Sequence, residues 1–137
     1  MTEFLWPIRV YYEDTDSGGV VYYANYLKFM ERARTEMLRA SGFEQDKMRD
    51  ERDLLFVVRN VELELIQPAR FNDELVVKTQ ITTMSGASIN FQQAIMRKNE
   101  QDKSLATATI QVACISASSW KPVRLLDDIQ TEIKRVN

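Results

Sequence analysis

Between residues 24 and 41 apolar side chains recur every three or four positions: Tyr26, Phe29 with Met30, Ala33, Met37 and Ala40. That spacing lines them along one stripe of an α-helix, with Lys28, Arg32, Glu36 and Arg39 on the opposite face. Gly42 suits the left-handed position just past a helix end. About 18 residues at a helical rise of 1.5 Å would span roughly 27 Å, so one long helix is expected. After a charged connector, Glu44 to Arg52, the period changes to two. Val61, Leu63 and Leu65 alternate with Asn60, Glu62 and Glu64; Leu75, Val77, Thr79 and Ile81 alternate with Lys78, Gln80 and Thr82. Ile89, Phe91 and Ile95 share a face, as do Ile110, Val112 and Cys114 within the β-rich run Leu105 to Ser116. Residues 8–12 read as one more short strand.

Breakers separate these strands: Pro68 with Asn72-Asp73, then Ser85-Gly86, then Asn99 to Lys103. Gaps this short predict hairpins and a meandering antiparallel sheet. Asp127 to Val136 reads as a short polar surface helix. The order is strand, loop, long helix and four long strands, an α+β layout in one domain, residues 1–137. A single amphipathic helix of this length buries its stripe against the concave face of a curled antiparallel sheet. The Gly-rich strand–turn–helix of nucleotide-binding folds is missing.

Composition narrows the chemistry. The 137 residues include no histidine and one cysteine. A Ser-His-Asp triad, a Cys-His dyad, multi-Cys or His-based zinc sites and a CxxC redox pair are therefore excluded. With 18 basic and 20 acidic side chains the net charge is -2, which offers no field for a phosphate backbone, so nucleic acid is not an expected partner. The longest uncharged stretch, Leu105 to Trp120, is rich in Thr, Ser and Gln and cannot span a membrane. Met1 to Arg9 lacks the charge-then-apolar pattern of a signal peptide, and free Cys114 fits a reducing compartment, so a cytoplasmic protein is expected. Any catalysis must come from carboxylates, hydroxyls and backbone amides.

Tyr11 to Tyr26 is the stretch where such groups gather. Asp14 and Asp16 sit in a turn, Gly18-Gly19 allows close backbone approach or positive φ, and a helix follows. Helix N-termini carry unpaired N–H groups and partial positive charge, suited to a developing oxyanion. A carboxylate beside such a terminus would suit ester or thioester hydrolysis, as general base or nucleophile. Asp-x-Asp before Gly-Gly also fits a solvated turn or a capping device. A calcium loop is rejected, because its fifth and twelfth positions would be Gly18 and Asn25. Tyr22, Tyr23 and Tyr26 fit a core cluster as well as a binding surface.

The same residues carry a resemblance over nearly the whole chain: Arg9 to Asp16, Gly18 to Tyr26, Glu31 to Glu36, Phe56 to Arg59 and Pro68-Ala69-Arg70. The chain resembles the hotdog-fold acyl-CoA thioesterases of the 4-hydroxybenzoyl-CoA thioesterase family, in the bacterial branch encoded with the Tol–Pal cell-envelope genes. The resemblance implies a sheet wrapped around the long helix, homodimers at minimum with active sites at the subunit interface, and homotetramers. It implies acyl-CoA as substrate, or an acyl group on acyl carrier protein, and no cofactor or metal. The catalytic carboxylate falls on Asp16 and the oxyanion amide on Tyr23, with Gly19, Val20, Val21, Tyr26 and Ser88 at the substrate.

Two positions depart from the family pattern. Many close relatives have His where Tyr23 stands, so here a backbone role can survive and an imidazole role cannot. Relatives often place a basic residue in the turn matching Met84 to Ser88, where it meets CoA phosphates, and this chain has none there. Lys121 and Arg124 read as solvated charges or as substitutes for it. The expected reaction is thioester hydrolysis; the alternative is a non-catalytic acyl-thioester-binding or scaffold protein. A hotdog dehydratase is the weaker rival, because those enzymes typically use His.

Overall fold

The computed structural model describes residues 3–136. Five strands, β1 (Phe4–Arg9), β2 (Leu54–Leu65), β3 (Glu74–Ser85), β4 (Ser88–Arg97) and β5 (Glu100–Ser116), form one antiparallel sheet in the order β1-β3-β4-β5-β2. Three helices accompany it: α1 (Asn25–Ala40), α2 (Gln45–Arg52) and α3 (Asp127–Val136).

The α+β layout holds, but several expectations are corrected. The helix expected over 24–41 is α1, of 16 residues, and the short helix expected at Asp127–Val136 is α3, of 10. With α2 of 8 residues between them, the described residues hold three shorter helices instead of one dominant long one. The charged connector is itself helical: Asp46 in its first turn and Arg49 and Arg52 in its last suit the helix dipole, and Met48 is its buried anchor. The sheet does not simply meander, because β2 pairs with β5 instead of β3 and leaves β2 and β1 as the two edges. Period-two alternation reveals a strand but not its neighbour, and Pro7 is tolerated because β1 is an edge. The first strand lies earlier than residues 8–12, because the Asp14 carboxylate captures the Tyr11 amide at 2.8 Å and draws Tyr12–Asp14 into a 3-10 turn. Helix α3 is less superficial than its composition suggests, with Ile129 and Ile133 fully buried.

Phe29, Met30, Ala33 and Met37 form the fully buried stripe of α1. They share one core with Leu75, Val77 and Ile81 of β3, Ile89, Phe91 and Ile95 of β4, and Ile110, Val112 and Cys114 of β5. Burying each large side chain here contributes about 1.5–3 kcal/mol. Helix α1 packs on β3 and β1, while α2 packs on β2. The outer half of β2 therefore stays bare: Val58, Val61 and Leu65 are exposed and Leu63 is half-buried, against the expectation of a covered face. Gly42 closes α1 with φ +92°.

Candidate active site

The two aspartates of the motif do different work. Asp14 is buried, its Oδ2 accepts the Tyr11 amide, and its carbonyl accepts both the Tyr22 amide at 2.8 Å and Asn25 Nδ2 at 2.9 Å. It braces the turn and the start of α1. Asp16 is exposed at the tip of a small hairpin whose sides, Thr15 and Val21, pair. Its amide donates to the Val20 carbonyl at 2.9 Å, and its carbonyl accepts the Gly19 amide at 3.0 Å. One carboxylate oxygen, Oδ1, accepts the Gly18 amide at 2.8 Å. Oδ2 has no donor among the described residues, so half of the carboxylate is held and half is free to accept a proton. Gly19 takes the left-handed φ of +79°, and a Cβ on Gly18 would crowd Asp16 Oδ1 at 3.2 Å.

The hairpin is pinned to the segment before β3. Val20 bridges Arg70, and the Val21 amide donates to the Ala69 carbonyl at 2.8 Å. The Ala69 amide in turn donates to the Tyr26 hydroxyl at 3.0 Å. Tyr26 is 3% exposed and meets Phe29 edge-on, so it stands behind the loop as a core post; burial raises its pKa and the Ala69 bond opposes that rise. Tyr22 and Tyr23 are exposed, with ring centroids 4.9 Å apart, so of the three tyrosines only Tyr26 is core.

Helix α1 begins at Asn25, two residues later than an N-terminus at Tyr23 would require. The Asn25 amide bonds the Tyr22 carbonyl, whereas the Tyr23 and Ala24 amides donate to no acceptor among the described residues. These two free N–H groups lead into the positive end of α1. Asp16, Gly19, Val20, Val21 and Tyr23 are thus brought together.

Ser88 lies elsewhere in the chain. It opens β4 beside Ser85, whereas Arg97 at the far end of β4 bonds the Pro68 carbonyl at 3.0 Å, next to the segment that holds the hairpin. The length of β4 puts Ser88 roughly 30 Å from that end. Lys121 and Arg124 are exposed. Among the described residues no three His, Cys, Asp or Glu side chains gather as a metal site, and no helix is long and apolar enough to cross a membrane.

Beside α1 the sequence reading missed a polar assembly. Two adjoining cavities, of 450 and 170 Å³, share Glu31, Arg34 and Val58 in their walls. Half-buried Arg34 donates from Nη1 to Gln93 Oε1 at 2.9 Å, with its guanidinium carbon 6.0 Å from the Phe91 ring centre. Gln93 is 1% exposed and is oriented by its own Nε2, which donates to the Met30 carbonyl at 3.0 Å and to Thr79 Oγ1 at 2.8 Å. Burial draws the Arg34 pKa down and Glu31 opposes this, yet the two form no ion pair. A guanidinium always reads as charged at neutral pH. The helical periodicity could flag only a cation at the margin of the polar face; Gln93 is 59 residues away.

Residues 10–133 match the thioesterase-like superfamily. The chain is 47% identical over 134 residues, 98% of each chain, to the acyl-CoA thioester hydrolase YbgC of Escherichia coli. It is 43% identical to the acyl-CoA thioesterase YbgC of Haemophilus influenzae, over 93% of this chain and 91% of that one. A 1,4-dihydroxy-2-naphthoyl-CoA thioesterase from Synechocystis superposes with a TM-score of 0.88 at 26% identity, over 97% of this chain and 96% of that one. The fold and this full-length likeness agree: the chain belongs to the thioesterase-like superfamily of hotdog proteins.

Proposed function

We propose that this chain is an acyl-CoA thioesterase, hydrolysing acyl-CoA to a free acid and CoA thiol with no cofactor. The observation that carries the reading is the pairing of a half-free carboxylate on Asp16 with the unpaired amides of Tyr23 and Ala24, tied to one another through Asp14. The 47% likeness to an acyl-CoA thioester hydrolase supports it. The thioester carbonyl oxygen accepts from the Tyr23 amide, which holds negative charge as the tetrahedral intermediate forms. Asp16 takes the proton of the attacking water; alternatively it attacks the carbonyl itself and water then cleaves the mixed anhydride. Either way the C–S bond breaks and the thiolate leaves to be protonated. Gly19, Val20 and Val21 shape the backbone beside the reacting carbonyl.

The same reading makes the chain one cytoplasmic domain in which the sheet wraps α1. Bare Val58, Val61 and Leu65 on edge strand β2 support a homodimer at minimum, and two dimers make the tetramer. A second subunit is also what would bring a Ser88 to Asp16, since one chain separates them. Acyl carrier protein is a second donor of the same thioester.

Thiol release from a panel of acyl-CoAs by the wild type and Asp16→Asn tests the assignment. Loss of a general base or nucleophile should lower kcat by about 10²–10⁴-fold. An unimpaired Asn variant removes Asp16 from the chemistry. Tight acyl-CoA binding without turnover at any chain length would make the protein a binding module instead.

A further inference from the structure

The larger of the two hollows is an open groove that starts at Leu27, one helical turn past Tyr23, and runs along α1 to Arg34, with Val58, Val61 and Ile110 along its other side. A thioester carbonyl at Tyr23 would direct its acyl group along the apolar side of this groove, Leu27, Val58, Val61 and Ile110. At the helical rise Arg34 lies roughly 16 Å further along, and helical side chains lean back toward the N-terminus, so its guanidinium sits closer still.

The passage does not end as an apolar tunnel would. Arg34 uses one donor on Gln93; Glu31 faces it from the same wall without forming an ion pair, so the rest of its fork has no hydrogen-bond partner among the described residues. Gln93 cannot turn to help, because its amide is committed to Met30 and Thr79. The walls carry Lys28, Arg32 and Arg34 against Glu31 alone, a positive balance. Beyond Arg34 the smaller cavity of 170 Å³ is of the size that holds one benzene ring, about 150 Å³. A methyl-ended chain reaching this depth must press an apolar end on a half-buried cation and strip more water from it, which is unfavourable. An acceptor at that end completes the guanidinium's hydrogen bonds, and a carboxylate does so bidentately.

Building on the thioesterase reading, we propose that Arg34 reads the far end of the acyl group and selects acyl thioesters whose tip carries a hydrogen-bond acceptor, a carboxylate above all. Arg34 is then a specificity residue; the hydrolytic step remains with Asp16 and the amides.

The test compares kcat/KM for octanoyl-CoA with that for the same chain bearing a terminal hydroxyl or carboxylate, and repeats the comparison at shorter and longer lengths. The wild type should favour the acceptor-tipped substrate about tenfold or more, the worth of one good hydrogen bond. Arg34→Met should abolish or invert that ratio, and Arg34→Lys should retain part of it. Equal rates on tipped and plain chains by the wild type overturn the proposal, without any need for a variant to fold. An equal loss on both substrates in Arg34→Met would show that the cation does not read the tip and also overturn it. If no acyl-CoA is hydrolysed, the thioesterase reading falls, and calorimetric binding of the same pairs decides the Arg34 question: a tenfold tighter tipped ligand supports it, and equal affinities overturn it.

Discussion

Asn25 donates its side-chain amide to the Asp14 carbonyl at 2.9 Å, across eleven residues, and so fastens the first turn of α1 to the turn that leads into Asp16. The same carbonyl receives the Tyr22 amide at 2.8 Å, so one oxygen holds both sides of the candidate site.

Asn25→Ala separates stability from activity. The Asp14 carbonyl keeps its Tyr22 partner, so no acceptor is orphaned and the cost is one net hydrogen bond, about 1 kcal/mol. Urea denaturation should show that modest loss. The Asp16 loop meanwhile loses one of the two bonds that tie it to the start of α1, and a misplacement of about 1 Å can cost on the order of 10²-fold in rate. Thiol-release assays should therefore fall well beyond what the stability change accounts for.

The chain holds no histidine. A rate limited by an imidazole base would bend near pH 6.5, at about the ordinary pKa of that group. The pH profile of kcat should instead pass through that region without a limb. An inflection there would place an unidentified titrating group in the mechanism.

How far these features were legible depended on whether they are local. The three- and four-residue spacing of Phe29, Met30, Ala33 and Met37 located α1, and alternation located the inward faces of β3, β4 and β5. Alternation also marked Val61 and Leu65 as a buried face, yet no element of one chain covers them, because β2 crosses to the far edge beside β5. Gln45–Arg52 escaped detection because Met48 is its only buried side chain. In the motif, spacing could not tell buried Asp14 from exposed Asp16; that difference arises from bonds to Tyr11, Tyr22 and Asn25. Arg34 was invisible for the same reason, since Gln93 and Phe91 reach it from a distant strand.

Cys114 is fully buried on β5, and burial pushes its thiol pKa up to about 11. The thiolate is the reactive species, so at pH 8 the native protein should give no fast reaction with a disulfide reagent. One thiol should appear when the protein is unfolded in denaturant. Rapid labelling of the folded protein would show that this part of the core opens readily.

Asp53 closes α2 in the left-handed region, φ 56°, and ties α2 and β2 to the end of β5. Its Oδ2 accepts the Ser116 hydroxyl at 2.7 Å and the Ser118 hydroxyl at 2.8 Å, while Oδ1 accepts the Ser118 amide at 2.8 Å. Hydrogen bonds from Ser116 and then Ser118 hold its pKa below the ordinary carboxylate value. A folded pKa below the unfolded one means that the unfolded chain binds the proton more readily. The contribution to stability is therefore fully present above the unfolded value of about 3.9 and is lost as pH falls through the folded value. Asp53→Asn isolates this charge, because Asn tolerates the left-handed backbone and keeps a side-chain acceptor. The wild type should be the more stable of the two at pH 7, and the gap should close as the pH falls well below 3.9. Urea midpoints measured across that range read the difference directly, and a gap that does not change with pH would mean that the serine bonds do not favour the ionised form.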